Sequence, residues 1–448
     1  MVRCATLAGG HKDGVTFLML TTLILAAALA QSPTATPLVA FVNVTVVPMD
    51  RDGVIADQTV IVRGGVIAEV GPAGRVRVPA GATTIDGRGK YLMPGLAEMH
   101  GHLPNPNAGA AITETVLFLY VANGVTLVRG MQGNTAHLDL KRRIAAGELL
   151  GPRLFVPGPQ LSGNSVPTAD SGRRLVEAQR AEGFDHVKIQ EGVPLEAYDT
   201  IAATAKRLGI AFVGHVPNAV GVPHALASGQ KSIDHLDNYV EAVGGPDSAS
   251  DARIGQIVAA TCAAGTWTVP TLALWEVFLG TDDVADLGTR TELRYVPPQW
   301  RTNWAQQTTQ VRQNGPPPET RVATIALRRR IFKALQDAGC PIALGTDSPQ
   351  LFSVPGFSIH REMATMAAAG LTPQQILTAG TRNVARYYGA EQEFGTVTVG
   401  RRADLLLLEA NPLSDVANVA RRAGVMVNGR WLPETEIQAR LARIAASY

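Results

Sequence analysis

Between about residue 92 and residue 390 the chain alternates short β-like runs with helix-like ones, and no other feature constrains its fold as tightly. Eight β-like runs occur, at 92–102, 124–129, 152–156, 186–189, 211–215, 232–235, 267–271 and 342–347. Helix-like segments separate them. The clearest runs from Leu195 to Leu208, with Ala and Leu at helical spacing and Gly209 as its stop. Parallel strands need crossovers of this length, and eight such units close a (β/α)8 TIM-type barrel of the α/β class. An open doubly wound sheet is the alternative. That fold usually carries a Gly-rich phosphate loop, and the chain has no such motif.

The flanks read differently. Residues 38–91 hold strand-like runs and tight turns, among them Arg63-Gly64-Gly65 between two apolar runs. Residues 394–433 have the same character and include Asn428-Gly429, a strong hairpin turn. Neither flank has enough strands for a sheet of its own. Together they are expected to make a small composite β-sandwich domain beside a barrel at 92–393. Residues 275–322 interrupt the alternation after the seventh run, with Trp275, Tyr295, Trp300, Trp304 and Pro316-Pro317-Pro318. Two readings stay open there: a lid or substrate wall, and a surface excursion with its own core.

Residues 1–30 read as a signal peptide. An apolar run at 15–30 follows Arg3 and Lys12 and ends in Ala28-Leu29-Ala30. The expectation is export to a periplasmic or extracellular location, with no membrane association after cleavage. An uncleaved anchor is the alternative, although the run is short of the ~20 residues that span a bilayer. Cleavage leaves Cys262 and Cys340, which do not make a disulfide framework and read as buried packing residues. A net charge of +2 and no basic run interleaved with aromatics exclude nucleic acid as a partner class.

Chemistry gathers at the ends of the β-like runs. His100 and His102 end the first, at i and i+2, which share a face of a strand. Lys188 lies near the end of the fourth, His215 ends the fifth, His235 the sixth and Asp347 the eighth. Barrel sites form at the C-terminal strand ends, so these six side chains can meet at one mouth. Imidazole and carboxylate ligands suit zinc or a similar metal. An ammonium has no lone pair, so Lys188 is a ligand only after its amine takes up CO2. Each residue alone has a structural reading: incidental histidines, an interior salt bridge for Lys188, a turn cap for Asp347.

The motifs LMPGLAEMHGH (92–102), HVKI (186–189), VGHV (213–216), SIDHLD (232–237), LGTDSP (344–349) and GTVTVGRRADLLLLEANPL (395–413) carry a resemblance. AGLTPQQILTAGTRNVA (369–385) and VMVNGRWL (425–432) extend it. With these the chain resembles the metal-dependent amidohydrolase superfamily, near its imidazolonepropionase-like and prolidase-like branches, from about residue 38 to 433. The resemblance implies two divalent metal ions, zinc by default. His100, His102 and Asp347 would serve the more buried ion and His215 and His235 the other, bridged by Lys188 as N6-carboxylysine. It also implies a metal-bridging hydroxide, with Asp347 as the proton carrier. One departure stands out: many relatives continue after the lysine with Ser-Gly-Gly, where this chain has Ile189-Gln190-Glu191-Gly192.

The implied substrate is a small molecule with an amide, peptide or cyclic amide bond. A dipeptide or an N-acyl amino acid would fit. Arg129 or His360 is expected to meet a substrate carboxylate, and Tyr239 to donate to the oxyanion; each also has a surface or capping reading. An ester or lactone hydrolase at the same metals and a non-catalytic binding scaffold are the other functional readings. Assembly as a homo-oligomer is a habit of such relatives that no residue here specifies.

Overall fold

The structure is a computed structural model and describes residues 37–448. The expected signal peptide and the apolar run at 15–30 lie outside the described residues. No helix among those described is long and apolar enough to cross a membrane.

Among the described residues, fifteen strands form three sheets. The first five are β1 (Leu38–Val46), β2 (Ile55–Arg63), β3 (Val66–Pro72), β4 (Thr83–Asp86) and β5 (Tyr91–Pro94). Seven more follow: β6 (Leu96–Gly101), β7 (Val125–Gly130), β8 (Arg153–Phe155), β9 (His186–Ile189), β10 (Ala211–Gly214), β11 (Ser232–Asp234) and β12 (Trp267–Val269). The last three are β13 (Leu405–Leu408), β14 (Arg422–Val427) and β15 (Arg430–Pro433).

The two flanks meet in one eight-stranded sheet, ordered β15-β14-β13-β5-β1-β2-β3 with β4 beside β1. The expected sandwich of two sheets is therefore a single sheet. The reason is β1, whose residues 39–42 pair with β4 while residues 45–46 pair with β5. Both foreseen hairpins form. Gly64 and Gly65 take φ +59° and +76°, and Asn428 and Gly429 take φ +49° and +74°, the paired positive values of a type I′ turn. The four leucines of β13 are all buried. Leu405 and Leu407 pack with Phe41, Leu92 and Met426, and Leu406 and Leu408 join the large core of the parallel region. Burial on both faces explains a strand without polar alternation.

The stretch 92–102 is not one strand. It breaks at Gly95, with β5 in the composite sheet and β6 in a parallel one. A side chain at Gly95 would come within 2.1 Å of Thr126 Oγ1, so the chain can change sheets here only without a Cβ. The parallel strands form the orders β6-β7-β8 and β9-β10-β11-β12. Isolated parallel bridges join their margins: Pro157 with His186 and Leu161 with Ile189 on one side. On the other, the run at 341–348 bridges Thr268 through Ile342 and Gly101 through Ser348. The eighth β-like run is thus a bridging segment and not a regular strand.

Cys262 and Cys340 form a disulfide, where packing alone was expected. Cys262 lies in the last turn of the helix Asp251–Ala264, and Cys340 follows the helix Pro318–Asp337. The runs these helices feed are neighbours through the Thr268–Ile342 bridge, so the turns before them are neighbours too. A separation of 78 residues hides this adjacency from the sequence.

Candidate active site

The six strand-end residues converge. His100, His102, Lys188, His215, His235 and Asp347 all line one cavity of about 490 Å³. His100 is buried at the end of β6, and His102 follows it two residues on. Asp347 is held by its own backbone, whose N–H donates to the His100 carbonyl at 2.6 Å. Its Oδ1 lies 2.5 Å from His102 Nε2 and 3.5 Å from His100 Nε2. Its Oδ2 lies 3.7 Å from His235 Nε2. The rings of His100 and His215 have centroids 4.3 and 4.7 Å from that of His235.

Backbone conformation is unusual at these points. His235, Thr271 and Asp347 have φ of +63°, +45° and +64°. Non-glycine residues avoid that region unless the surrounding structure imposes it, and such sites cluster where function requires them.

Lys188 is 1% exposed, and its Nζ has no hydrogen-bond partner among the described residues. Its stem lies over Gly214, where a Cβ would sit 2.5 Å from Lys188 Cδ and 2.9 Å from Cε. Gly214 has φ +112°, so it gives both the backbone turn and the room for the lysine. Burial holds the Lys188 ammonium below its ordinary pKa. Burial also pushes His100 and His235 well below theirs, so both imidazoles are neutral at physiological pH, with a lone pair to offer. His235 Nδ1 meets Thr271 Oγ1 at 2.8 Å, while its buried Nε2 has no partner. Two groups of residues are close enough to hold a divalent cation: His100, His235 and Asp347, and Glu191, His215 and Asp237.

Three residues expected at the substrate are elsewhere. Arg129 is fully buried and spends its donors inside the molecule. Nε donates to the Met99 carbonyl, Nη1 to Ser232 Oγ and Tyr387 Oη, and Nη2 to both Asp234 oxygens. A guanidinium has five donor hydrogens, so none is left for a ligand. Tyr239 is buried with its hydroxyl 2.8 Å from Thr261 Oγ1. His360 lies on the helix Phe357–Ala368, with Nε2 3.2 Å from Asn123 Oδ1. None of the three lines the cavity.

Other residues do work that the sequence reading missed. Asp234 links Arg129 to the site, because its Oδ2 lies 2.8 Å from His100 Nδ1. The signal was present: two opposite charges on β-like runs, both inside a core, must pair. Arg129→Met is expected to lower stability by about 3–5 kcal/mol, since it leaves the Asp234 charge buried and alone. Urea denaturation checks this; unchanged stability with a raised KM would return Arg129 to the substrate. Glu98, also fully buried, accepts from the His100 and Thr346 backbone N–H groups and from Thr346 Oγ1. It thereby ties β6 to the segment that carries Asp347.

The insertion contributes a wall. Leu274, Trp275 and Phe278 on the helix Leu272–Leu279 line the cavity. Further on, Trp304 of the helix Pro298–Asn314 packs with Trp300 and Phe352. Glu362 caps the wall helix, accepting from the Leu272 and Ala273 N–H groups at 2.9 and 2.7 Å. Burial pushes its carboxyl from 4.5 up to about 8. Between those values the folded chain keeps a proton that the unfolded chain has released. Its contribution to stability is therefore complete below about pH 4.5 and lost as pH rises towards 8. Urea midpoints of the wild type should fall over that range more steeply than those of Glu362→Gln; equal slopes would contradict the raised value.

Comparison with known proteins adds three findings. The sequence profile of the Amidohydrolase family matches residues 91–432. An imidazolonepropionase of Rubrobacter xylanophilus is 27% identical over 426 residues, covering 80% of this chain and 86% of that protein. Among the solved structures that share the fold are two amide-bond hydrolases. A bottromycin amidohydrolase has a TM-score of 0.70 at 24% identity, covering 92% of each chain. A Xaa-Pro dipeptidase with bound methionine has a TM-score of 0.66 at 20% identity, covering 88% of this chain and 100% of that one.

Proposed function

Because the chain belongs to the amidohydrolase family, we propose that its cavity hydrolyses the amide bond of a small peptide-like or N-acylated molecule with the help of two divalent metal ions. The relatives point to cleavage of carbon–nitrogen bonds. One observation carries the reading: a buried Lys188 amine and a buried His235 Nε2, both partnerless among the described residues, share a cavity with three further imidazoles and three carboxylates. Orphaned buried polar atoms are costly, and here they face a common space.

The residues present fit metal ions. His100, His102 and Asp347 would hold one, His215 and His235 the other, and Lys188 as a carbamate would serve both. When bound, such a pair lowers the pKa of water, which supplies hydroxide near neutral pH, and polarises a carbonyl. The chain's own residues supply the rest. Thr271 orients the His235 ring, so that its Nε2 faces the site. Asp347 lies against three imidazoles and is the carboxylate that takes the proton of the attacking water and passes it to the leaving nitrogen. The depressed Lys188 pKa favours the neutral amine, the form that adds CO2.

The bridges at both margins of the parallel sheets support a ring closed by seven strands and the bridging run at 341–348, with the site at its C-terminal rim. The disulfide fits an oxidising compartment and so supports export. Elemental analysis of the purified protein, paired with matched amide and ester substrates, tests the proposal. Two metal equivalents and preferred amide cleavage are expected. A metal-free protein with neither activity would overturn it, and preferred ester cleavage would move the chemistry to esters or lactones.

A further inference from the structure

The cavity is unevenly charged. Glu191 and Asp237 line it, but no arginine does, and its single lysine is the buried Lys188. The guanidinium of Arg328 lies behind the wall, 3.5 Å from the Trp275 ring centroid, with Nη1 donating to the His235 carbonyl. It does not line the cavity. No arginine in the lining thus matches a substrate carboxylate, while Glu191 and Asp237 present two carboxylates to it.

Those two carboxylates are close. Oxygens of Glu191 and Asp237 and a ring nitrogen of His215 lie within 4.8 Å of one another. Asp237 Oδ2 contacts His215 Nδ1, while Glu191 Oε2 accepts from the Asn218 N–H at 3.3 Å. Glu191 is exposed, yet its backbone is fixed. The Gly163 N–H donates to the Glu191 carbonyl at 3.1 Å, and the neighbouring Gln190 N–H donates to Leu161 at 2.8 Å. Gly163 and Gly192 pack backbone to backbone, where a Cβ on Gly163 would come 2.4 Å from the Gly192 carbonyl. A carboxylate on an anchored loop at the rim of a cavity is preorganised for a cationic group. The same cavity offers Leu274, Trp275 and Phe278 as an apolar surface.

We propose that the cavity selects substrates that bear a protonated amine, held by Glu191 beside Asp237, together with an apolar side chain set against Leu274, Trp275 and Phe278. An aminoacyl amide with an unblocked amino group is the chemical class. The proposal rests on the hydrolytic reading above, but its test separates the two.

Two measurements on the metal-loaded full protein decide it. Calorimetric titration compares isoamylamine, a cation at pH 7, with isoamyl alcohol, its neutral counterpart; neither has a bond to hydrolyse. The amine should bind at least about 10-fold tighter, as opposite charges in a part-desolvated cavity attract. In Glu191→Gln this preference should fall close to unity, with the metal content retained. The kinetic arm compares leucine p-nitroanilide with its N-acetyl derivative, and kcat/KM should favour the free amine in the wild type and much less in the variant. Equal binding of amine and alcohol overturns the proposal. So does loss of metal in Glu191→Gln, which would make Glu191 a metal ligand. If neither anilide is cleaved while the amine still binds selectively, the hydrolytic reading fails and the selectivity stands.

Discussion

Asp347→Asn is expected to keep the metal content of the wild type and to lose about 10²–10⁴-fold in kcat, the range that positioned acid–base groups contribute. The substitution preserves shape and one carbonyl oxygen, so a ligand atom remains in place. It removes the proposed proton acceptor. The backbone at 347, anchored to His100 and with φ +64°, accepts Asn readily, because Asn tolerates that region better than most residues. Steady-state kinetics beside elemental analysis provides the check. More than a tenth of wild-type turnover would take Asp347 out of proton transfer.

Lys188→Ala should be as severe, by a different route. Lys188 is the one residue among the six that cannot ligate in its ordinary protonated form. Its stem fills the space over Gly214 and its amine faces the cavity without a partner. Removing it should reduce bound metal from two equivalents to one or none, and activity by at least about 10³-fold, as the charge-stabilising term is lost. Metal loading of the wild type should also depend on bicarbonate, since carbamate formation consumes CO2. Two tightly held ions in Lys188→Ala, or loading indifferent to bicarbonate, would rule the carbamate out.

Much of this architecture was readable from the sequence, because the local rules and the global fold agree. Periodicity located seven of the parallel strands, and Gly64-Gly65 and Asn428-Gly429 marked hairpins whose φ values follow from the residues themselves. The convergence of the six strand-end side chains on one cavity could be foreseen because parallel strands all end on the same side of their sheet. What escaped notice depends on distance in space. Arg129 looked like a free cation at a strand end, and only the position of Asp234, on a strand four crossovers later, shows that it is consumed inside. Tyr239 and His360 face helices and loops whose packing no local pattern records. The disulfide joins residues 78 apart, and nothing near either cysteine announces the other. Gly95 read as part of one strand because an apolar run passes through a change of sheet without interruption.

That change of sheet bears on how the protein is made. β5 sits between β1, which it touches at only two residue pairs, and β13, which it matches along its whole length. β13 is translated some three hundred residues later, and β6 with His100 follows β5 after a single glycine. During synthesis β5 therefore lacks its full-length partner until residues 405–433 arrive, whereas β6 with His100 pairs with β7, made only about thirty residues later. The composite sheet is thus complete only when the closing strands have taken their places, well after Gln350, the last residue that lines the cavity, has been made.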